Sequence, residues 1–171
     1  YYTGSVNDNN TNCPAVTTWY VDVQTTIEGD GTSAATPAKS IGAVLYSSCL
    51  KPGDTIKVAR GTYTPSYMPG TSGVRDRTFF IDKALTFLGS YDSTFTKRDI
   101  QTYPTILSAK NGHPMLNTDH FYHIMVWDVK DTTLEGIIDG FIFQDANANV
   151  NSNLVMNGST YSRRSGGALY V

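Results

Sequence analysis

Short apolar segments separated by turn-forming residues run along most of the 171-residue chain. β-Branched and aromatic residues are frequent in these segments, and Gly, Pro, Asn and Asp stand between them, which is typical of strands joined by turns. The predicted strands cover residues 19–23, 55–59, 78–81, 84–88, 105–108, 123–126, 134–138, 141–143 and 168–171. This pattern predicts an all-β domain.

One segment has helical spacing instead, and it predicts a single helix over Ser40–Leu50. Lys51-Pro52-Gly53-Asp54 follows it directly and ends the helix. The apolar positions on one side of the helix are Ala38, Ile41, Val44, Leu45 and Cys49.

The length of the chain favours one domain. Residues 1–18 are polar and have no periodicity, so we interpret them as an irregular lead-in to a domain over residues 19–171. The sequence begins at Tyr1 and ends within a strand-like segment. We therefore expect the parent protein to continue beyond residue 171.

Composition excludes several classes of protein. Hydrophobic residues make up 40% of the chain and charged residues 16%, which argues against a disordered chain or a coiled coil. The net charge is −2 and no lysine- or arginine-rich segment occurs, so nucleic acid is not an expected partner. No apolar stretch approaches the roughly 18 residues that a membrane span needs, so we expect no membrane insertion.

The two cysteines, Cys13 and Cys49, do not have the spacing of a metal site. A Cys13–Cys49 disulfide would join the lead-in to the helix if the protein matures outside the cytoplasm. Two buried free thiols are the alternative, which the polar setting of Cys13 disfavours.

Several motifs together carry a resemblance to a known group of proteins. Asp30-Gly31-Thr32-Ser33, the helix Ser40–Leu50 and the segment 52–63, which begins Pro-Gly-Asp and ends Gly-Thr-Tyr, occur in that order. Segments 138–142 and 166–170 follow. The series resembles the N-terminal cap and first coils of secreted bacterial right-handed parallel β-helix surface proteins, which belong to the pectate-lyase-like superfamily.

The resemblance implies a right-handed parallel β-helix, or β-solenoid, with one N-terminal capping helix. It also implies a secreted or cell-surface protein. In such a fold, apolar residues stack inside successive coils. The expected inward residues are Ile56, Val58, Phe87, Ile106, Ile138 and Ile142.

Catalytic candidates come from the same resemblance. In pectate-lyase-like enzymes, acidic side chains on neighbouring coils bind calcium or act as acid and base, and an Arg or Lys takes the proton. Asp139 and Asp145 are the candidate carboxylates here, and Arg163 or Arg164 is the candidate base. However, Asp139 precedes Gly140 in a predicted corner, where a carboxylate commonly caps its own turn. We therefore favour a structural role for Asp139 and expect no catalytic residue.

A second candidate site is a calcium site at Asp145, Asn147 and Asn149, whose oxygens alternate along the chain. A polar loop has the same pattern, so both interpretations stay open. His120 and His123 are not expected to bind one metal ion, because residues three apart on a strand point to opposite faces.

The preferred function is a rigid extracellular or cell-surface scaffold or adhesin with glycan binding. Tyrosines that could stack on sugar rings are Tyr63, Tyr67, Tyr91, Tyr103 and Tyr161. One alternative is the N-terminal part of a carbohydrate-active enzyme, a polysaccharide lyase or hydrolase. A second alternative is a self-assembling filament or surface-layer subunit that associates through an open C-terminal end of the β-helix.

Overall fold

Short strands are the main regular elements of the structure, a computed structural model that describes residues 13–68, 73–112, 119–131 and 133–171. The first twelve residues of the predicted lead-in lie outside the described residues. The elements are β1 (Thr18–Val21), α1 (Ile41–Leu45), β2 (Thr55–Ala59), β3 (Gly61–Tyr63), a 3-10 turn (Val74–Asp76), β4 (Phe79–Ile81), β5 (Thr86–Tyr91), β6 (Thr105–Ser108), β7 (Met125–Trp127), β8 (Ile137–Asp139), β9 (Phe141–Gln144), β10 (Asn153–Met156), β11 (Ser159–Ser162) and β12 (Leu169–Tyr170).

Three of the sheets contain only parallel strands. The first sheet has the order β1-β2-β5-β8, the second β3-β6-β9 and the third β4-β7-β12. A corner at Gly140 takes the chain from β8 in the first sheet to β9 in the second. Gly140 has φ +80°, a conformation that glycine adopts without a steric penalty.

One apolar core joins the three parallel sheets. Side chains alternate along each strand, so every second residue of β1, β2 and β5 enters this core. Phe87 is fully buried there, and its ring stacks on Phe141 of the second sheet with 4.6 Å between centroids. Other buried members are Trp19, Val21, Ile56, Val58, Tyr63, Phe79, Ile81, Leu107, Ile124 and Met125.

The predicted right-handed parallel β-helix with one capping helix is wrong. The described strands lie in four small sheets, and one of these is antiparallel. It is the hairpin β10–β11, whose turn residues Asn157 and Gly158 have φ +48° and +79°. Asn-Gly between two apolar segments is a strong hairpin signal that the sequence interpretation overlooked. The fold therefore combines small parallel sheets with an antiparallel hairpin.

The hairpin covers the outward face of the third sheet. Phe80, Val126 and Tyr170 form a cross-strand row on that face. Leu154 and Met156 of the hairpin lie in one apolar cluster with them. Tyr161 of the hairpin completes the cluster, so the hairpin shields apolar residues that would otherwise face water.

An ion pair attaches one end of the hairpin to the rest of the chain. The Nε and Nη2 atoms of Arg163, just after β11, donate to the two carboxylate oxygens of Asp76 at 2.6 and 2.8 Å. Asp76 is buried in the 3-10 turn. Arg163 also donates to Ser152 Oγ and to the Asn153 carbonyl oxygen. This pair therefore joins residues far apart in the sequence.

A second polar network lies at the other end of the hairpin. The Lys130 ammonium donates to Asp128 Oδ1 at 2.6 Å and to Ser159 Oγ at 2.5 Å. Ser159 begins β11, and Asp128 follows β7. Both ends of the hairpin are thus held by charged side chains.

The helix is shorter than predicted. It spans Ile41–Leu45 instead of Ser40–Leu50, and Ser40 Oγ caps it by accepting from the Ala43 amide at 3.1 Å. The predicted disulfide is confirmed: Cys13 and Cys49 are bonded, with Cα atoms 5.3 Å apart. Among the described residues, no helix is long and apolar enough to cross a membrane.

Two of the six predicted inward residues were assigned wrongly. Ile56, Val58 and Phe87 are fully buried, and Ile138 packs against the core. Ile106 is half-buried, and Ile142 is 38% exposed. The next residues in each strand, Leu107 and Phe143, pack in or against the core instead.

Breaking the Asp76–Arg163 pair is expected to destabilise the protein. Asp76→Asn leaves the Arg163 guanidinium without its buried carboxylate, which costs about 3 kcal/mol of unfolding free energy. Chemical denaturation measures this loss. The matched control is Asp82→Asn, which removes the exposed pair with Lys83 and should cost less than about 1 kcal/mol. Equal effects of the two substitutions would contradict the role given to Arg163.

Removing the disulfide is expected to lower the unfolding free energy by about 3–4 kcal/mol, because the bond closes a loop over a sequence separation of 36. The double substitution Cys13→Ser and Cys49→Ser tests this in denaturant. A reductant should lower the melting temperature of the wild type and leave that of the double variant unchanged. A double variant as stable as the wild type would refute the expectation.

Candidate functional site

Asp139, the first candidate carboxylate, forms an ion pair with Arg98. The distance from Asp139 Oδ2 to Arg98 Nη2 is 2.7 Å, and the Asp139 side chain is 60% exposed. Arg98 Nε also donates to the Gly89 carbonyl oxygen at 2.8 Å. Asp139 thus contacts a loop cation, whereas the sequence had suggested that it caps its own turn.

Asp145 lies in a different environment. It follows β9 with φ +70°, and its Oδ2 accepts from Ser108 Oγ at 2.9 Å. Lys110 Nζ lies 3.9 Å from the same oxygen. Asp145 lines an open polar pocket of about 370 Å³ together with His120, Ala146 and Asn147. Asp139 and Asp145 therefore have separate cationic partners.

Arg163 is poorly suited to take a proton. Its hydrogen bonds to Asp76 raise the pKa of the guanidinium above its ordinary value. A base must be unprotonated before it can take a proton, and this carboxylate stabilises the protonated, charged form of Arg163. Arg164 is exposed, and its backbone amide donates to Ser162 Oγ.

The predicted calcium ligands surround an arginine. Arg75 Nη2 donates to the Asn147 carbonyl oxygen and to Asn149 Oδ1, each at 3.0 Å. Arg75 Nε donates to the His120 carbonyl oxygen at 2.7 Å, and its guanidinium stacks on Tyr122. Within the described ranges, no three His, Cys, Asp or Glu residues are grouped as a metal site. Calcium binding by this segment stays a prediction.

The outward face of the first sheet carries a cluster of aromatic and cationic side chains that no motif in the sequence indicates. The parallel register places Tyr20 beside Lys57, and Lys57 beside Leu88. Lys57 Nζ lies 5.8 Å from the centroid of the Tyr20 ring and 5.3 Å from that of Tyr91. The ammonium is thus held by two aromatic rings.

A loop over residues 92–99 packs on this cluster. Phe95 is buried, and its ring lies edge-on to Tyr20 with 5.1 Å between centroids. Thr94 Oγ1 donates to Asp92 Oδ2 at 2.7 Å, and the Thr96 amide donates to Asp92 Oδ1 at 2.9 Å. Arg98 then lies over Tyr91 at 5.9 Å. These contacts fix the rings on the sheet.

A second cation and ring extend the cluster beyond the sheet. Arg60, which follows β2, lies over the Tyr103 ring at 6.0 Å. The Arg60 amide donates to the Tyr91 carbonyl oxygen at 2.8 Å. This hydrogen bond connects the Arg60–Tyr103 pair to the cluster around Lys57. We call this set the aromatic–cation face: Tyr20, Lys57, Arg60, Tyr91, Arg98 and Tyr103.

A row of hydroxyl-bearing residues lies on the same side of the sheet. Thr18, Thr55 and Thr86 are paired across β1, β2 and β5. They stand two positions before Tyr20, Lys57 and Leu88, so they share the outward side. All three are half-buried.

The five tyrosines proposed for sugar stacking fall into three groups. Tyr63 and Tyr161 are buried, and burial raises the pKa of Tyr161 to about 12. Tyr67 is 38% exposed and packs on Tyr46. Only Tyr91 and Tyr103 of the five belong to the aromatic–cation face, and no motif in the sequence pairs them with Lys57 and Arg60.

Comparison of the chain with protein-family models, curated proteins and solved structures found no match. The resemblance to pectate-lyase-like surface proteins therefore has no support beyond the motifs themselves.

His123 generates a prediction about pH. Its Nδ1 contacts the Gly166 carbonyl oxygen at 3.2 Å, while Nε2 is buried and has no hydrogen-bond partner among the described residues. Burial lowers the pKa of this imidazole below its ordinary value of 6.5. The unfolded chain therefore binds a proton at a higher pH than the folded chain, and stability declines as the pH falls from about 6.5 towards the folded pKa.

Thermal melting across this pH range tests the prediction. His123→Gln should flatten the decline because the titrating group is gone. His120→Gln is the control for removing a neighbouring imidazole. An unchanged pH dependence in His123→Gln would contradict the prediction.

Proposed function

We propose that this chain is a rigid extracellular module that binds carbohydrate on its aromatic–cation face and acts as a scaffold or adhesin. The observation that carries the proposal is the placement of Lys57 between Tyr20 and Tyr91 on the outward side of the first sheet. The strand register fixes Tyr20 beside Lys57, and side chains held on a sheet are well suited to binding.

The chemistry of the face suits a sugar. A tyrosine ring has an apolar surface and a polar hydroxyl, and a sugar ring likewise combines an apolar face with hydroxyls. Thr18, Thr55 and Thr86 add hydroxyl groups along the same side of the sheet. Binding on this face requires no catalytic group.

The disulfide supports the proposed location. Disulfides form and persist in oxidising compartments, so the Cys13–Cys49 bond is compatible with a secreted or surface protein.

A carbohydrate-active enzyme is the second candidate, and the pocket at Asp145 favours it. Asp145 and His120 line that pocket together, which brings two potential acid or base groups to one opening. This enzyme would shorten a polysaccharide, whereas the proposed module would retain it unchanged.

A self-assembling subunit is the third candidate. The strands β8, β9 and β12 each lie at the edge of a parallel sheet. An uncovered edge strand can pair with another chain. Such a subunit would elute as larger species at higher protein concentration.

Substitution of two half-buried tyrosines of the aromatic–cation face tests the proposed function. Tyr91→Ala and Tyr103→Ala each remove a ring from the face and should weaken polysaccharide binding about fivefold, the effect of about 1 kcal/mol. Affinity electrophoresis in gels that contain individual polysaccharides measures the binding.

Tyr67→Ala is the matched control, because Tyr67 is exposed but packs on Tyr46 outside the face. It should bind as the wild type does. Equal weakening by all three substitutions, no binding of any polysaccharide, or release of shortened sugar chains during incubation would contradict the proposal.

A further inference from the structure

Two cations of the aromatic–cation face have no carboxylate partner among the described residues. In the described part of the chain, the cations that form ion pairs with carboxylates are Lys83, Arg98, Lys110, Lys130 and Arg163. Lys57 contacts the rings of Tyr20 and Tyr91, and Arg60 contacts the ring of Tyr103. An aromatic ring attracts a cation but leaves its positive charge unneutralised.

The carboxylates closest in sequence to these rings are already engaged. Asp139 pairs with Arg98 at 2.7 Å. Asp92 accepts from Thr94 and Thr96 within its own loop, and Asp99 accepts from the amides of residues 101 and 102. Asp22 follows β1 and is buried. Its Oδ1 accepts a hydrogen bond from the Gln24 amide.

The partly buried position of Lys57 strengthens any contact with an anion. Coulomb attraction increases as water is excluded, and Lys57 is half-buried between its two rings. A charge-assisted hydrogen bond from the ammonium to a sulfate or carboxylate would be stronger than one to a neutral hydroxyl. Arg60 offers a planar guanidinium that can bind either anion through two hydrogen bonds.

We propose that the aromatic–cation face selects a polysaccharide that carries sulfate or carboxylate groups. This inference rests on the proposed function. The tyrosine rings contact the sugar units, and Lys57 and Arg60 neutralise their negative charges. The whole chain has a net charge of −2, so selection depends on these local cations and not on overall attraction.

Three polymers that share one sugar backbone separate the contribution of charge to binding from the contribution of the sugar. Dextran is neutral, dextran sulfate carries sulfate, and carboxymethyl dextran carries carboxylate. At a fixed, moderate salt concentration, we expect the wild type to bind at least one charged form about tenfold more tightly than dextran, and to lose this preference at high salt. The two charged forms identify which anion is preferred.

The double substitution Lys57→Met and Arg60→Met should remove the preference. Methionine keeps much of the aliphatic volume of these side chains but not their charge. The charge-preserving variant Lys57→Arg should retain most of the preference, which separates loss of charge from loss of folding. Lys51→Met removes an exposed cation in the α1–β2 connection and should bind as the wild type does.

The outcomes distinguish this inference from the proposed function. Equal binding of dextran and both charged forms would overturn the charge selection and leave carbohydrate binding intact. Binding of inorganic polyphosphate as tight as that of dextran sulfate would overturn it too, because polyphosphate has no sugar ring. Unchanged preference in the double variant would place the site elsewhere, and binding of no polysaccharide would overturn both proposals.

Discussion

The register between parallel strands is the constraint on which the rest of the structure depends. Side chains alternate between the two sides of a strand, so the pairing of Trp19 with Ile56 in the core also pairs Tyr20 with Lys57 outside. A shift of one residue would bury the ammonium of Lys57 and expose the apolar residues beside it. The apolar core and the aromatic–cation face therefore have one common cause.

The corners and the hairpin decided which predictions failed. Alternation counted from Ile138 through Gly140 assigns Ile142 to the core, but the corner at Gly140 resets the phase and Phe143 packs inward instead. The uniform β-helix failed because Asn157-Gly158 reverses the chain, and the hairpin then covers a sheet face from outside. Strands with strong alternation, such as Thr55–Ala59, could be predicted within their own boundaries.

The site was harder to predict because its contacts join distant parts of the chain. Asp139 and Asp145 are close in sequence, yet their cationic partners are Arg98 and Lys110. Arg163 was considered as a base, whereas its partner Asp76 lies in a 3-10 turn far earlier in the sequence. The placement of Lys57 between two rings depends on register and on the bulge between β2 and β5, neither of which composition reveals.

The most direct test is the position of chemical-shift changes when the isotope-labelled protein is titrated with short dextran sulfate oligosaccharides. We predict that the perturbed amides cluster around Tyr20, Lys57, Arg60 and Tyr91, and that inward residues such as Phe87 change little. Shifts centred instead on Asp145 and His120, or along β8, β9 and β12, would contradict it.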